Sequence, residues 1–77
     1  MREFIEFIAK ELVDHPEDVH VGFIEGESTS IMELKVHNDD VGKVIGKRGK
    51  TANAMRTLLS AVATRKGRKV VLEIVED

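Results

Sequence analysis

The sequence predicts a small two-layer α+β domain. Three helices pack on one face of a three-stranded mixed sheet, in the order α-β-β-α-α-β. Three observations carry this reading. Apolar residues recur at spacings of three and four in the stretches 2–14 and 51–65. They alternate with polar residues over 19–25 and 31–37, and a β-branched run follows at 69–75. Between the helical stretches stands Val44-Ile45-Gly46-Lys47-Arg48-Gly49-Lys50, two glycines three apart with two cations between them.

The first helix carries Phe4, Ile5, Phe7, Ile8, Leu12 and Val13 on one face. Pro16 ends it, because the residue before a proline is pushed out of the α region. Val19, Val21 and Phe23 then alternate with His20, Gly22 and Ile24 as a half-buried strand. After a polar turn at 26–30, Met32, Leu34 and Val36 face one way and Glu33, Lys35 and His37 the other. The two strands form an antiparallel hairpin. Asn38-Asp39-Asp40 supplies an N-cap and first-turn carboxylates for a short helix reaching Ile45. Ala52, Met55, Leu58, Leu59 and Val62 give the longer helix its buried face, and Gly67 is placed to end it. The last strand puts Val70, Leu72 and Ile74 on one face. Its connection crosses over two helices, so it lies parallel to the second strand.

A helix that breaks at Gly46 and restarts after Gly49 needs glycine's freedom to take positive φ. The restart exposes a helix N-terminus, with open N–H groups and a positive dipole end. With Lys47, Arg48 and Lys50 beside it, the break is a place for a phosphate.

Composition bounds the rest. Seventy-seven residues, 42% of them hydrophobic, make one domain spanning 1–77 with no linker, repeat or low-complexity segment. The absence of cysteine excludes a disulfide framework and thiolate metal sites. No signal pattern or membrane-length apolar run is present, so a cytoplasmic protein without membrane insertion is expected. The net charge of −2 hides a segregation. Residues 1–40 hold eleven acidic and three basic side chains, net −8; residues 41–72 hold nine basic and no acidic ones, net +9. Glu73, Glu76 and Asp77 add −3 at the end. A local basic field of this kind fits a polyanionic partner better than the net charge suggests.

The stretch VIGKRGK, set between a short and a longer helix, resembles the V-I-G-x-x-G signature of the KH domain, a module whose G-x-x-G loop clamps the backbone of about four nucleotides. The element order is that of the type II, bacterial-style KH fold. The chain is similar over its whole length to the KhpA family of small stand-alone KH proteins, including the stretch Val13 to Val19 and the end from Val70 to Glu76. The resemblance implies a non-catalytic, cofactor-free RNA-binding protein, an RNA chaperone or post-transcriptional regulator that grips single-stranded RNA. Its contacts would be Gly46, Lys47, Arg48, Gly49 and Lys50, with Lys43, Val44, Ile45 and Arg56 beside them. Val41, Val44, Ile45, Ala52 and Met55 would line an apolar groove for bases, and Leu34, Val36 and the last strand would form its other wall. Ala52 stands where the family often has a larger aliphatic residue, which implies a shallower groove. The resemblance also implies a KhpB-type KH partner (also called Jag or EloR) in cell-envelope and cell-length control; the small residues of the longer helix suggest a homodimer or a heterodimer with it.

The sequence bears on four other readings. Gly49-Lys50-Thr51 imitates the end of a Walker A loop, but that motif requires glycine where Val44 stands and a preceding strand. A protein-interaction or dimerisation module is the alternative function, motivated by Ala54, Ala61 and Ala63 with Leu58 or Val62. His15, His20 and His37 show no metal-ligand spacing; His15 reads as a helix-end residue, and His20 and His37 as outward-facing strand residues. With no Trp or Tyr, and with Phe4, Phe7 and Phe23 at core positions, aromatic stacking of bases is not expected.

Overall fold

The computed structural model describes residues 1–76; Asp77 of the acidic end lies outside them. The elements are α1 (Arg2–Leu12), β1 (His20–Ile24), β2 (Thr29–Lys35), α2 (Val41–Ile45), α3 (Lys50–Arg65) and β3 (Lys69–Val75). Single 3₁₀ turns stand at Pro16–Asp18, Asn38–Asp40 and Lys47–Gly49. The sheet order is β1-β2-β3, with β1 antiparallel and β3 parallel to β2. This is the α+β fold with a mixed sheet that the periodicity predicts. β2 begins at Thr29 rather than 31, because Thr29 and Ser30 pair with Lys69 and Val70 of β3.

One core holds the layers together. Ile5 and Ala9 of α1, Met32 and Leu34 of β2, Val44 of α2, Met55, Leu59 and Ala63 of α3, and Val70 and Leu72 of β3 are all buried in it. Fully burying an aliphatic side chain of this size contributes about 1.5–3 kcal/mol. The three phenylalanines are not part of this core. Phe4, Phe7 and Phe23 are 45%, 63% and 39% exposed. The apolar stripe of α1 is wider than its contact with the sheet: Ile5 and Ala9, four apart, point inward, and Phe4 and Phe7 fall to its flanks. Phe23 lies on β1, an edge strand, where it and the first residues of α1 border a surface cleft.

The Asn38–Asp40 segment also departs from its expected role. The cap acceptor is His37, whose Nδ1 takes the Asp39 N–H at 3.1 Å. Asp40 instead turns inward. It is fully buried, and its two carboxylate oxygens accept the N–H groups of Asp14 (3.2 Å) and His15 (3.0 Å), just past the end of α1. Those amides lie beyond the last helical turn and need an outside acceptor. Lys43 completes the arrangement, 3.4 Å from Asp40 and hydrogen-bonded to Asp14. Burial alone would push the Asp40 carboxyl up; the two amide donors and Lys43 outweigh it and hold the group below the usual carboxylate range. Lys43 is raised, first by its bond to Asp14 and then, against its own desolvation, by Asp40.

A carboxylate whose folded pKa is depressed stabilises the fold fully above its unfolded value, about 3.9, and loses that contribution as pH falls through the lower folded value. The raised Lys43 acts only at the alkaline end, where its contribution is lost as pH rises through its folded value. Replacing Asp40 by Ala is expected to lower Tm at neutral pH by about 5–10 °C and to flatten the loss of stability in acid. Thermal unfolding followed by circular dichroism across the acid range checks both.

Candidate functional site

α2 ends where Gly46 takes φ 79° and ψ 171°, a region open only to glycine. Its N–H closes the last helical bond on Gly42 at 2.9 Å. Lys47 to Gly49 then form one tight turn, with Gly49 N–H on the Gly46 carbonyl (3.1 Å) and Lys50 N–H on that of Lys47. Arg48 (φ 57°, ψ 27°) and Gly49 (φ 75°, ψ 12°) are both left-handed. Two of the amides expected to stand open, those of Gly49 and Lys50, are therefore used inside the turn. Among the described residues, no backbone acceptor is found for the N–H groups of Lys47 and Arg48. The side chains of Lys47, Arg48 and Lys50 are exposed.

The two glycines do different jobs. A Cβ on Gly46 would lie 2.3 Å from Thr51 Oγ1 and 2.8 Å from the Thr51 amide nitrogen, so the first turn of α3 packs directly on this backbone. A Cβ on Gly49 would meet nothing closer than Asn53 Nδ2 at 3.8 Å, so only the left-handed conformation asks for glycine there.

Beside the turn lies an open cleft of ≈ 300 Å³. Ile45, Gly49, Ala52 and Arg56 form one wall, and Val71, Leu72, Glu73, Ile74 and Glu76 of β3 and its continuation form the other. Arg56 spans it, with Nε donating to the Leu72 carbonyl (3.3 Å) and Nη1 to Asn53 Oδ1 (3.2 Å). The cleft is electrically polarised: cations at the turn and at Arg56, carboxylates at Glu73 and Glu76.

The structure thus brings Ile45, Gly46 to Lys50 and Arg56 to one place. It does not bring Val44 or Lys43 there. Val44 is fully buried beneath the turn, and Lys43 is committed to Asp14 and Asp40. Leu34, Val36 and Met55 are core residues, and Val41 packs partly against the core. The far wall is β3 alone. Glu73 and Glu76 were not singled out as site residues; their signal was an acidic pair on the strand following a basic segment. The turn follows a helix, not a strand, so the Walker A reading fails on geometry as well as sequence.

The element order and the glycine turn together match the family model described as "KhpA/KhpB, KH domain" over residues 2–74. The chain belongs to that family. It is 55% identical over 75 residues to the RNA-binding protein KhpA of Clostridium perfringens, covering 97% of this chain and 100% of the relative. It is 52% identical over 77 residues to that of Chlamydia caviae, covering 100% and 99%. For that of Aquifex aeolicus the figures are 49% over 76 residues, 99% and 96%. No solved structure matches at a significant level. These relatives of the KhpA/KhpB family carry RNA binding in their names, and none is named as an enzyme. No described helix is long and apolar enough to cross a membrane.

The asymmetry between the glycines is measurable. Gly46→Ala is expected to destabilise the fold by about 2 kcal/mol, and Gly49→Ala by about 1 kcal/mol. Gly49→Asn should be milder than Gly49→Ala, because Asn tolerates the left-handed region. Urea denaturation of the three variants checks the order.

Proposed function

We propose that the chain binds single-stranded RNA in the Gly46–Lys50 turn and the cleft beside it, without catalysis, as a cytoplasmic RNA chaperone or post-transcriptional regulator. One observation carries the reading: a helix break with its side-chain bulk removed, two amides with no backbone acceptor among the described residues, and three exposed cations opening onto a partly apolar cleft. A phosphate approaches the turn, and the bases lie against Ile45, Ala52 and β3. The polarity sets the direction across the cleft, because Glu73 and Glu76 repel phosphate and accept hydrogen bonds from base amines. Arg56 donates from the opposite wall. The names of the relatives and the family support RNA as the ligand.

Lys47→Asp with Arg48→Asp is expected to abolish retention of a mixed pool of short RNAs while far-UV circular dichroism stays unchanged. In the single changes Lys47→Gln and Arg48→Gln, the slope of log affinity against log salt should fall by about 0.7 per lost phosphate contact. Fluorescence anisotropy over a salt series reads both. Unchanged affinity in the double Asp variant would remove the turn from the contact surface.

A second, compatible reading is pairing of two chains, or of this chain with a KhpB-type partner. Of the residues that suggested it, Ala54, Ala61, Leu58 and Val62 are exposed, and Ala63 is instead buried in the core. An apolar cleft of ≈ 270 Å³ lies between α1 and α3, lined by Met1, Phe4, Leu58, Leu59 and Val62. Phe4, Leu58 and Val62 are all more than a third exposed. A second copy covering this cleft would remove these apolar side chains from water. Light scattering across a concentration series is expected to show a dimer that Phe4→Glu with Val62→Glu converts to monomer. A wild-type chain that stays monomeric at high concentration sinks self-pairing and leaves the RNA reading standing.

A further inference from the structure

Two histidines that are twenty-two positions apart in sequence meet in space. The rings of His15 and His37 are stacked, with centroids 4.1 Å apart and planes 25° from parallel. His15 stands in the connection between α1 and β1, and His37 in the connection between β2 and α2. The Asp40 carboxylate brings the two connections together by holding the His15 backbone N–H. The fold therefore fixes both backbones, while both imidazoles remain about two-fifths exposed.

Carboxylates gather around the pair. Glu17 Oε2 lies 3.7 Å from His15 Nδ1, and Asp39 Oδ2 lies 3.7 Å from His37 Nδ1. One ligating atom each from His15, His37 and Asp39 falls within 4.8 Å of the others, and the same holds for His15, Glu17 and Asp18. His15 is common to both groups, and only the first of them brings both imidazoles together with a carboxylate. Three carboxylates, Glu17, Asp18 and Asp39, outnumber Lys35, the lysine that borders the neighbouring cleft. A stacked imidazole pair by itself explains the ring contact. The cap bond from the Asp39 N–H to His37 Nδ1 (3.1 Å) accounts for Asp39 beside that ring; neither contact accounts for the carboxylates beside His15.

We propose that His15, His37 and Asp39 form a binding site for a divalent transition-metal cation of the zinc class. The donor set is two imidazoles with carboxylates, which suits Zn²⁺, Co²⁺ or Ni²⁺ and disfavours Mg²⁺ and Ca²⁺, whose ligands are all oxygen. In a tetrahedral zinc site with bonds of about 2.0–2.1 Å, ligating atoms stand about 3.3 Å apart. Closing to that spacing requires the half-exposed side chains to rotate and the ring stack to open. The ion ties the α1–β1 connection to the β2–α2 connection at the junction Asp40 already clamps, and so stabilises the fold. None of its ligands belongs to the Gly46–Lys50 turn.

The test uses the untagged, chelator-treated full chain and zinc chloride as probe. Calorimetry is expected to show one Zn²⁺ per chain, and thermal unfolding a rise in Tm with Zn²⁺ but not with Mg²⁺. His15→Gln and His37→Gln should each weaken zinc binding by about tenfold or more, and the double variant should lose it, with RNA retention unchanged. Zinc-dependent shifts of the imidazole nitrogens of both histidines, followed by NMR in the wild-type chain, decide the matter even where a variant fails to fold. Absence of heat and of any Tm change at millimolar zinc overturns the site. So does binding that persists in the double variant, or a stoichiometry of one ion per two chains.

Discussion

The contact between the backbone of Gly46 and the first turn of α3 is the constraint on which the site depends. Thr51 sits where a side chain at position 46 would be. The chain therefore leaves α2, turns within three residues and enters α3 with no room for an alternative path. Because Gly49 and Lys50 spend their amides inside that turn, it is stiff rather than merely open. A stiff turn holds Lys47 and Arg48 outward and keeps their own N–H groups facing solvent. Arg48 is left-handed without being glycine, a conformation that costs about 1–2 kcal/mol. The packing of Thr51 on Gly46 and the two turn bonds hold it there.

Charge placement follows the same division. Residues 41–72 contain no acidic side chain, but part of their basic charge is consumed by structure. Lys43 is neutralised by Asp14 and Asp40, and Arg68 is directed to the Gly26 carbonyl and the Ser30 hydroxyl in the hairpin. The positive field that reaches the cleft comes from Lys47, Arg48, Lys50 and Arg56, a smaller set than the sequence count implies. Glu73 and Glu76 then limit it from the other side. On the proposed reading, a groove bounded this way would grip a backbone at one edge only and leave the bases, rather than a second phosphate, to meet β3.

Much of this was legible in the sequence because it is local. Helical and strand periods, the glycine pair and the closing Gly67 depend on neighbours within a few residues, and the element order followed from them. What could not be read depends on contacts between distant segments. The period of α1 marks six apolar positions as one face, but the width of the sheet decides that Ile5 is covered and Phe4 and Phe7 are not. Val44 and Ile45 are adjacent and equally apolar; only the docking of α2 determines that Val44 enters the core and Ile45 the cleft. Asp40 looked like a cap because Asp often caps, and its real partners lie about twenty-five residues earlier. The meeting of His15 and His37 follows from that clamp, so it was equally invisible.

The remaining wall of the cleft faces a conflict of its own. β3 is an edge strand, and a free edge of alternating apolar residues is a template for pairing with another chain. Covering it would close the cleft; leaving it bare would invite aggregation. Arg56 resolves part of this by donating to the Leu72 carbonyl, one of the acceptors a foreign strand would need. Glu73 and Glu76 add charge along the same edge. An incoming strand would have to displace the guanidinium and desolvate the carboxylates. A flexible ligand with its own hydrogen-bond donors has only to exchange with one arginine bond. The groups that border the groove thus oppose a foreign β-strand while leaving the proposed nucleic-acid ligand only one arginine bond to exchange.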